Sequence, residues 1–310
     1  VRSNGYTLYT TASVGIACFP EHARRAGMLL QHATTALDLA KERGGNTFEM
    51  YTHHRGESLW QRLTVDQGLR AALERDQFLL HYQPIVDLVS GKVAAAEALL
   101  RWDRPLHGLT SAADFIEVAE DIGLIVPIGT WVVRTVAQQA RDWDDAGVGL
   151  DHIAVNVGAR EFHDGELYDT IVRAQELTGV DPRRLCVEIT ERIALADVDH
   201  AIGTLRRLQA LGIRVALDDF GTGYSSLRYL QELPIDTLKI DRSFVAKASV
   251  DPRGEPILAS IVELAHGLNL TVVAEGIEDA RCLELVTSLG CDMAQGYHLG
   301  RPAPPQDFLA

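Results

Sequence analysis

Short apolar runs alternate with amphipathic segments from about residue 78 to residue 295. The apolar runs, rich in Val, Ile and Leu, predict strands at 78–84, 93–102, 152–157, 185–190, 214–218, 237–240 and 270–275, with a short strand near Met293. The segments between them have helical spacing and predict helices at about 112–122, 127–146, 165–178, 197–211, 224–232, 254–267 and 279–289. Eight strands with intervening helices are typical of the α/β class and predict a (β/α)8, TIM-like barrel.

The connection between the first two predicted strands departs from this regular pattern. The turn around Ser90-Gly91 is too short to contain a crossover helix. We therefore expect the first strand to run antiparallel to the others, with Gln83 to Ile85 lying across from Glu97.

The first part of the chain predicts a small α+β fragment. Residues 6–18 have a β pattern, and 29–43 have helical spacing that ends at Gly44-Gly45. A polar stretch at 52–57 indicates a linker, and 59–75 predicts an amphipathic helix. We therefore divide the chain into residues 1–52, a linker at 53–60, and a barrel domain at 61–310.

Polar residues interrupt six of the predicted strands in the same phase. Each of these polar residues lies beside an apolar residue or follows an apolar residue by two positions, near the end of the strand from which the next loop departs. They are Glu97, Asn156, Glu188, Asp218, Lys239 and Glu275. Strand residues alternate between the barrel interior and the helix layer, so these six share the interior face. The carboxyl ends of barrel strands form the catalytic face. A single such residue could be an interior polar group paired with a neighbour, but six in one phase favour a functional site.

The residue types indicate a site for hard metal ions. Glu97, Asn156, Glu188 and Asp218 offer oxygen ligands, and Asp219 follows Asp218 directly, which suits Mg²⁺ or Mn²⁺ better than zinc. Taken alone, the Asp pair could also lie in a solvated turn. With the other acids nearby, it could bridge two ions that activate water and stabilise the leaving oxygen of a phosphodiester. We expect Lys239 to orient that water or contact phosphate; charge compensation among the acids is the alternative.

Charge and cysteine usage narrow the functional class. The formal net charge of −14 disfavours binding to a nucleic acid polymer, which needs a basic face. Cys18, Cys186, Cys282 and Cys291 lie far apart and fit neither zinc spacing nor a disulfide framework, so we expect reduced core thiols. The sequence has neither a signal-peptide pattern nor a long apolar run, so we expect a cytoplasmic fragment of a longer protein. We expect it to be attached to a membrane only if an upstream segment provides an anchor.

The N-terminal segment resembles the last third of a GGDEF-type diguanylate cyclase domain. The matching stretches are Ala12-Ser-Val-Gly-Ile-Ala and Ala33-Thr-Thr-Ala-Leu-Asp-Leu-Ala-Lys-Glu-Arg-Gly-Gly-Asn. Thr34 and Asp38 stand where that family usually has Asp and Tyr, and the signature loop and nucleotide site are not in this sequence. The resemblance implies a remnant without synthetic activity.

Residues 61–310 resemble the EAL family of cyclic di-GMP phosphodiesterases. The motifs that carry the resemblance, in order, are Glu97-Ala-Leu-Leu-Arg-Trp, Glu188-Ile-Thr-Glu, Asp218-Asp-Phe-Gly-Thr-Gly-Tyr-Ser-Ser, Lys239-Ile-Asp, Ala274-Glu-Gly-Ile-Glu and Gln295-Gly-Tyr. The tripeptide Glu-Ala-Leu alone would have no specificity, but the ordered set is highly specific. It implies metal-dependent opening of one phosphodiester bond of cyclic di-GMP to give linear pGpG, with two Mg²⁺ or Mn²⁺ ions.

The resemblance also implies individual roles. Glu97, Asn156, Glu188 and Asp218 would bind one metal, and Asp219 would bind the second with help from Asp218. Lys239 would contact the attacking water, and Glu275 would support the metal site through water. The remaining implied roles are substrate contacts by Gln83, Arg101 and Gln295, and positioning of the loop after Asp219 by Glu191 and Glu278. Family members also tend to form homodimers through the barrel.

The chain departs from the family pattern at one position, and two alternative functions remain open. Gly158 stands where the family more often has serine, which removes a hydroxyl but no metal ligand, so we expect a modest effect. One alternative is a receptor that binds cyclic di-GMP without cleaving it, although such a protein would be expected to lose ligands or the loop. The other is a different metal-dependent barrel enzyme, such as an enolase-like proton abstractor, which would not need the adjacent Asp pair.

Overall fold

The computed structural model describes residues 2–3, 6–7, 11–19, 26–42, 46–50, 65–105, 108–163, 165–221, 227–251 and 253–308. The chain divides into two compact units, Val1–Ala71 and Ala72–Ala310. None of the described helices combines the length and the apolar character needed to cross a lipid bilayer. The predicted boundaries at residues 52 and 60 lie outside the described residues and stay a prediction.

The first unit contains two short strand pairs and a long helix. Strand β1 (Arg2–Ser3) pairs with β2 (Tyr6–Thr7) in antiparallel orientation, and β3 (Val14–Ile16) pairs with β4 (Phe48–Met50) in parallel. Helix α1 (Ala26–Glu42) connects β3 to β4. The predicted helix at 59–75 corresponds to α2, which is described over 65–74, whereas 59–64 lie outside the described residues.

Helix α1 covers only one face of the β3–β4 pair. Gly15 faces α1 so closely that a Cβ atom there would overlap the Ala33 carbonyl oxygen and the Leu37 backbone. Side chains alternate along a strand, so Val14, Phe48 and Met50 point the other way, and they are 48%, 65% and 46% exposed. This unit therefore has an apolar sheet face that no described residue of the unit covers.

The second unit is a closed barrel of eight strands with a ninth strand on its outside. The barrel strands are β5 (Phe78–Asp87), β6 (Val93–Arg104), β8 (His152–Asn156), β9 (Leu185–Thr190), β10 (Arg214–Phe220), β11 (Thr237–Ile240), β12 (Thr271–Ala274) and β13 (Met293–Ala294). They follow one another in that order round the barrel, and β5 pairs with β6 to close it. The predicted barrel is therefore confirmed.

The antiparallel first strand is also confirmed. Strand β5 pairs antiparallel with both β6 and β13, whereas β6 and the following strands run parallel. In the β5–β6 ladder Gln83 lies directly opposite Glu97, as the short turn predicts. A two-residue antiparallel bridge also joins Tyr82 to Ala303 near the end of the chain.

The helices lie between the strands. They are α3 (Ile116–Asp121), α4 (Ile125–Asp145), α5 (Ala159–His163), α6 (Glu166–Thr178), α7 (Glu191–Ala196), α8 (Val198–Leu211), α9 (Leu227–Glu232), α10 (Arg242–Val250), α11 (Gly254–Gly267) and α12 (Ala280–Ser288). The pattern did not predict α5, α7 and α10, nor the outer strand β7 (Gly108–Ser111), which pairs with β6. The predicted start of α9 at 224 falls in 222–226, outside the described residues.

Small and apolar side chains fill the barrel interior below the predicted site. Ala154, Cys186 and Ala216 form one buried cluster. Ile85, Ala95 and Val273 form another, against which Met293 packs. On the parallel strands these residues lie two positions before a site residue, and on the antiparallel β5 Ile85 lies two positions after Gln83. A layer of small and apolar side chains therefore packs directly beneath the polar residues of the site.

Candidate active site

Every strand of the barrel contributes one polar residue to a single cluster. The contributions, in order round the barrel, are Gln83 from β5, Glu97 from β6, Asn156 from β8, Glu188 from β9, Asp218 from β10, Lys239 from β11, Glu275 just after β12 and Gln295 just after β13. Six of these eight were selected from strand phase, and the contacts below bring them together. The cluster forms because parallel strands bring their carboxyl ends to one face of the barrel.

Lys239 lies at the centre of four carboxylates. Its Nζ is 2.7 Å from Glu275 Oε1 and 2.8 Å from Glu188 Oε2. It is also 3.5 Å from Glu97 Oε2 and 3.6 Å from Asp218 Oδ2. The Lys239 side chain is only 1% exposed. A buried ammonium of this kind needs compensating charge, and the four acids provide it.

The electrostatics of the cluster follow from this arrangement. Burial alone would lower the pKa of Lys239, but the acids, Asp218 and Glu188 foremost, raise it well above its ordinary value. Burial raises the pKa of Glu188 well above its usual range and the pKa of Glu275 to about 7, against the attraction of Lys239. Lys239 therefore stays protonated, whereas the cluster of acids can hold a proton near neutral pH.

The pKa of Glu97 shifts in the opposite direction to those of Glu188 and Glu275, because the Glu97 carboxylate accepts more hydrogen bonds. Asn156 Nδ2 donates to its Oε1 at 2.6 Å, and Gln295 Nε2 donates to its Oε2 at 2.6 Å. Burial acts to raise the pKa of Glu97, but Lys239 and these two donors outweigh it and lower the pKa. Glu97 is therefore held as a carboxylate with a fixed orientation.

Two glutamines link this network to the first strand. Gln295 Nε2 also donates to Gln83 Oε1 at 3.2 Å, and Gln83 Nε2 donates to the Gly300 carbonyl at 3.1 Å. Gln295 Oε1 is buried and has no hydrogen-bond partner among the described residues. Such an atom is available to a ligand, because a buried polar group is costly when unpaired.

The Asp218-Asp219 pair departs from regular strand geometry. Adjacent residues of a strand normally point to opposite faces. Asp219 has a positive φ of 54°, and the pairing of β10 with β11 shifts register between Leu217 and Phe220. Both carboxylates therefore reach the same region, where oxygens of Asp218, Asp219 and Glu275 lie within 4.8 Å of one another. Burial, then Asp218 and Asp241, raise the pKa of Asp219.

The segment after Asp219 is held by two contacts. Gly221 N donates to Glu191 Oε2 at 3.1 Å, and Glu191 is 5% exposed. Gly221 has φ of 94°, and a Cβ atom there would lie 2.6 Å from the Phe244 ring. Glu191 thus contacts the segment for which it was predicted. Glu278 is exposed, and its predicted role toward residues 222–226 lies outside the described part of the chain.

An open cavity of about 270 Å³ leads to this cluster. Its walls include the predicted residues Gln83, Glu97, Asp218, Glu275, Glu278 and Gln295, together with Gly276, Gly296, Arg242 and Tyr297. The sequence reasoning missed Arg242 and gave no role to Tyr297, which is 57% exposed and has the Arg301 guanidinium 4.4 Å from its ring centre. Arg101 donates from Nη1 to the Leu100 carbonyl at 2.9 Å, and its charge interacts with Glu97 and Tyr297 of this wall. The signal for Arg242 was its position three residues after Lys239.

Gly158 directly precedes α5 and follows Asn156 by two residues. Its N–H donates to Glu161 Oε2 at 2.9 Å, and a Cβ atom at Gly158 would lie 2.9 Å from that same oxygen. The end of a flexible side chain can move away from such a contact. The modest effect on activity expected from Gly158 in place of serine therefore stays a prediction. A serine side chain at this position would require Glu161 to move.

Comparison with known proteins gives a consistent family assignment. A model of the EAL domain matches residues 66–302. The chain is 41% identical over 300 residues to the bifunctional diguanylate cyclase/cyclic di-GMP phosphodiesterase MucR of Pseudomonas aeruginosa, which covers 97% of this chain and 44% of MucR. It is 38% identical over 301 residues to the cyclic di-GMP phosphodiesterase PdeR of Escherichia coli, which covers 97% of this chain and 45% of PdeR.

A solved structure agrees with these relatives. The MucR phosphodiesterase in complex with cyclic di-GMP superimposes with a TM-score of 0.76 and 43% identity, covering 78% of this chain and 98% of that structure. The chain spans less than half the length of the curated relatives named above.

Proposed function

Because this chain belongs to the EAL domain family, we propose that its barrel hydrolyses one phosphodiester bond of cyclic di-GMP and releases linear pGpG. The observation that carries the proposal is the meeting of four acids, Asn156 and Lys239 at the carboxyl ends of six barrel strands, beside a cavity lined by Glu97, Asp218 and Glu275. The names of MucR and PdeR, which describe cyclic di-GMP phosphodiesterases, support the substrate.

The residues of the cluster fit divalent metal ions. Their side chains offer carboxylate and amide oxygens, which Mg²⁺ and Mn²⁺ prefer, and Gln295 Oε1 is a buried acceptor without a partner among the described residues. Glu97, Asn156, Glu188 and Asp218 would hold one ion, and Asp219 with Asp218 the second. The short distances among Asp218, Asp219 and Glu275 make Glu275 a further candidate ligand. Such ions supply Lewis acidity to the phosphodiester and make water a better nucleophile near neutral pH.

The protein's own groups prepare the reacting atoms. Lys239 Nζ keeps a positive charge among the acids, so it can orient the attacking water or stabilise charge on the phosphate oxygens. Asn156 and Gln295 fix the Glu97 carboxylate, which prevents it from rotating away from its ligand position. Gln83 and Gln295 lie on the cavity wall, where their amides can bind the substrate. Arg101, whose charge interacts with Glu97 and Tyr297 of that wall, would also contact the substrate.

We also propose that residues 1–52, within the first unit, are the end of a GGDEF-like domain. MucR is named a bifunctional cyclase and phosphodiesterase, and its similarity covers 97% of this chain. The exposed apolar face of β3 and β4 supports the proposal, since a sheet face of this kind is normally covered by the rest of its domain. We propose that the protein is cytoplasmic and acts as a homodimer. Sedimentation analysis would test the oligomeric state.

Hydrolysis is tested directly by incubating the protein with cyclic di-GMP and either Mg²⁺ or Mn²⁺ and measuring pGpG. We expect product with both ions and none after chelation. Glu97→Ala should reduce turnover roughly 100-fold or more, because it removes a ligand and its hydrogen bonds. The exposed Glu176→Ala on α6 is the matched control and should retain full activity. Tight binding of cyclic di-GMP without product would favour a receptor instead.

A further inference from the structure

We propose that Arg242 is a substrate-binding residue, and that its guanidinium binds the phosphate of cyclic di-GMP that is not cleaved. This inference rests on the proposed function and extends it to a residue outside the metal cluster. It starts from the position of Arg242 on the cavity wall, opposite in charge to the four acids that share that wall, Glu97, Asp218, Glu275 and Glu278.

The backbone around Arg242 is fixed from two sides. Arg242 is the first residue of α10, and Asp241 before it caps the helix by accepting from Ser243 N at 3.0 Å. On the other side lies Gly276, which has φ of 70° and would, with a Cβ atom, come within 3.1 Å of Arg242 Cα and closer still to its Cβ. The glycine therefore permits the loop after β12 to lie against the base of the Arg242 side chain.

Within the described part of the chain, the Arg242 guanidinium has no competing partner. Arg242 is exposed, and among the described residues no carboxylate or carbonyl accepts a hydrogen bond or ion pair from it. This differs from Arg184, which is paired with Asp144, and from Arg183, which is paired with Asp181. Three of the acids on this wall, Glu97, Asp218 and Glu275, are paired with Lys239 and not with Arg242, so the Arg242 guanidinium remains available to an anion in the cavity.

The charge of the proposed substrate explains why the cavity needs a site for a second phosphate group. A cyclic dinucleotide has two phosphodiester groups, each with one negative charge, and the proposed reaction opens one of them. The metal cluster and Lys239 account for the cleaved group. The second group would enter a cavity lined by acids, so it requires a cation of its own, and a guanidinium binds phosphate oxygens through two parallel hydrogen bonds.

The test compares Arg242→Ala and Arg242→Lys with Arg206→Ala, which removes an exposed arginine from α8 and changes the net charge equally. Steady-state kinetics are measured with cyclic di-GMP and with bis(4-nitrophenyl) phosphate, a diester that has only one phosphate. Binding of cyclic di-GMP to metal-stripped protein is measured by calorimetry, and thermal unfolding checks that each variant folds.

We expect Arg242→Ala to raise KM for cyclic di-GMP about tenfold or more, and its Kd by a similar factor, with kcat within about twofold, because a charge-assisted hydrogen bond common to ground and transition states is lost. Arg242→Lys should be intermediate. Turnover of the single-phosphate diester should not change, and Arg206→Ala should match the wild type.

Three results would overturn the assignment. An unchanged KM and Kd in Arg242→Ala would exclude a substrate contact. An equal effect of Arg206→Ala would show that only net charge matters. An equal loss with the single-phosphate diester would place Arg242 at the cleaved bond. If the wild type binds cyclic di-GMP without cleaving it in the presence of Mg²⁺ or Mn²⁺, the proposed hydrolysis fails, while Kd still decides the role of Arg242. The absence of both binding by the metal-stripped protein and cleavage with the ions present would overturn both proposals.

Discussion

At the level of single residues, Lys239 has the largest expected effect on stability. Four carboxylates approach its buried Nζ, so the ammonium neutralises part of a concentrated negative charge. Removing one partner of a buried ion pair leaves the other charges uncompensated, which typically costs about 3–5 kcal/mol. We therefore predict that Lys239→Met lowers the free energy of unfolding of the metal-free protein by about that amount, as measured by urea denaturation.

The same substitution should be partly rescued by divalent ions, because they replace the missing positive charge. The exposed Lys247→Met on α10 is the control and should change the free energy of unfolding by less than about 0.5 kcal/mol. Equal unfolding free energies for the two variants would show that Lys239 does not compensate the acids.

Glu161 makes stability depend on pH from a position outside the metal cluster. Burial, with a smaller contribution from Glu120, raises its pKa to about 7, although Gly158 N donates a hydrogen bond to it. A folded-state pKa above the unfolded value means that the folded protein retains a proton that the unfolded chain releases. Stability from this group is therefore present below about pH 4.5 and is lost as the pH rises to about 7.

We predict that Glu161→Gln stabilises the protein at pH 8 but not at pH 4. The amide oxygen can still accept from Gly158 N, while the cost of burying a charge is removed, and the gain at pH 8 should be on the order of 1–3 kcal/mol. Urea unfolding at the two pH values measures it. Glu275 also has a raised pKa, but it is unchanged in both proteins, so the difference between them isolates Glu161. A gain of equal size at both pH values would contradict the assigned pKa.

At the level of elements, the first turn of α10 lies between the loops that follow β10 and β12. Phe244 contacts Gly221 on one side, and Arg242 contacts Gly276 on the other. Gly221 follows Asp219 by two residues, and Gly276 follows Glu275 directly. Both glycines have a positive φ, which only glycine adopts without strain. The turn therefore helps to set the separation of the Asp219 and Glu275 carboxylates.

Gly221→Ala tests this contact between elements. The new methyl group would lie 2.6 Å from the Phe244 ring, and the positive φ adds strain, so we expect a loss of about 1–3 kcal/mol in unfolding free energy and weaker Mn²⁺ binding. In the double variant Gly221→Ala with Phe244→Ala the collision is relieved. The unfolding free energy that the double variant loses should therefore be smaller than the sum of the losses in the two single variants. Strict additivity in a double-mutant cycle, read by urea denaturation, would mean that the ring does not press on Gly221.

The barrel could be predicted from the sequence because short apolar runs alternate regularly with segments of helical spacing, and the site could be selected because six polar residues share one strand phase. It missed α5, α7 and α10 because these helices follow directly after strands, so their first turns merge with the strand pattern. It could not predict that Asp219 turns back toward Asp218, since that depends on one positive φ and a shift in register. Arg242 lies outside the periodic strands, so strand phase could not select it, and only its position three residues after Lys239 pointed to the site.

On the scale of the whole molecule, the two compact units should respond differently to metal. The carboxylates proposed as ligands all belong to the unit Ala72–Ala310, and a ligand stabilises the fold that binds it by about 2.7 kcal/mol at 100 times its Kd. We predict that saturating Mn²⁺ slows hydrogen exchange in β9, β10 and β12 but leaves β3, α1 and β4 unchanged, as measured by mass spectrometry of peptides. Asp218→Asn with Asp219→Asn should abolish the slowing. Slowing that extends equally into β3 and β4 would show that the two units open together and that the metal stabilises them as one cooperative fold.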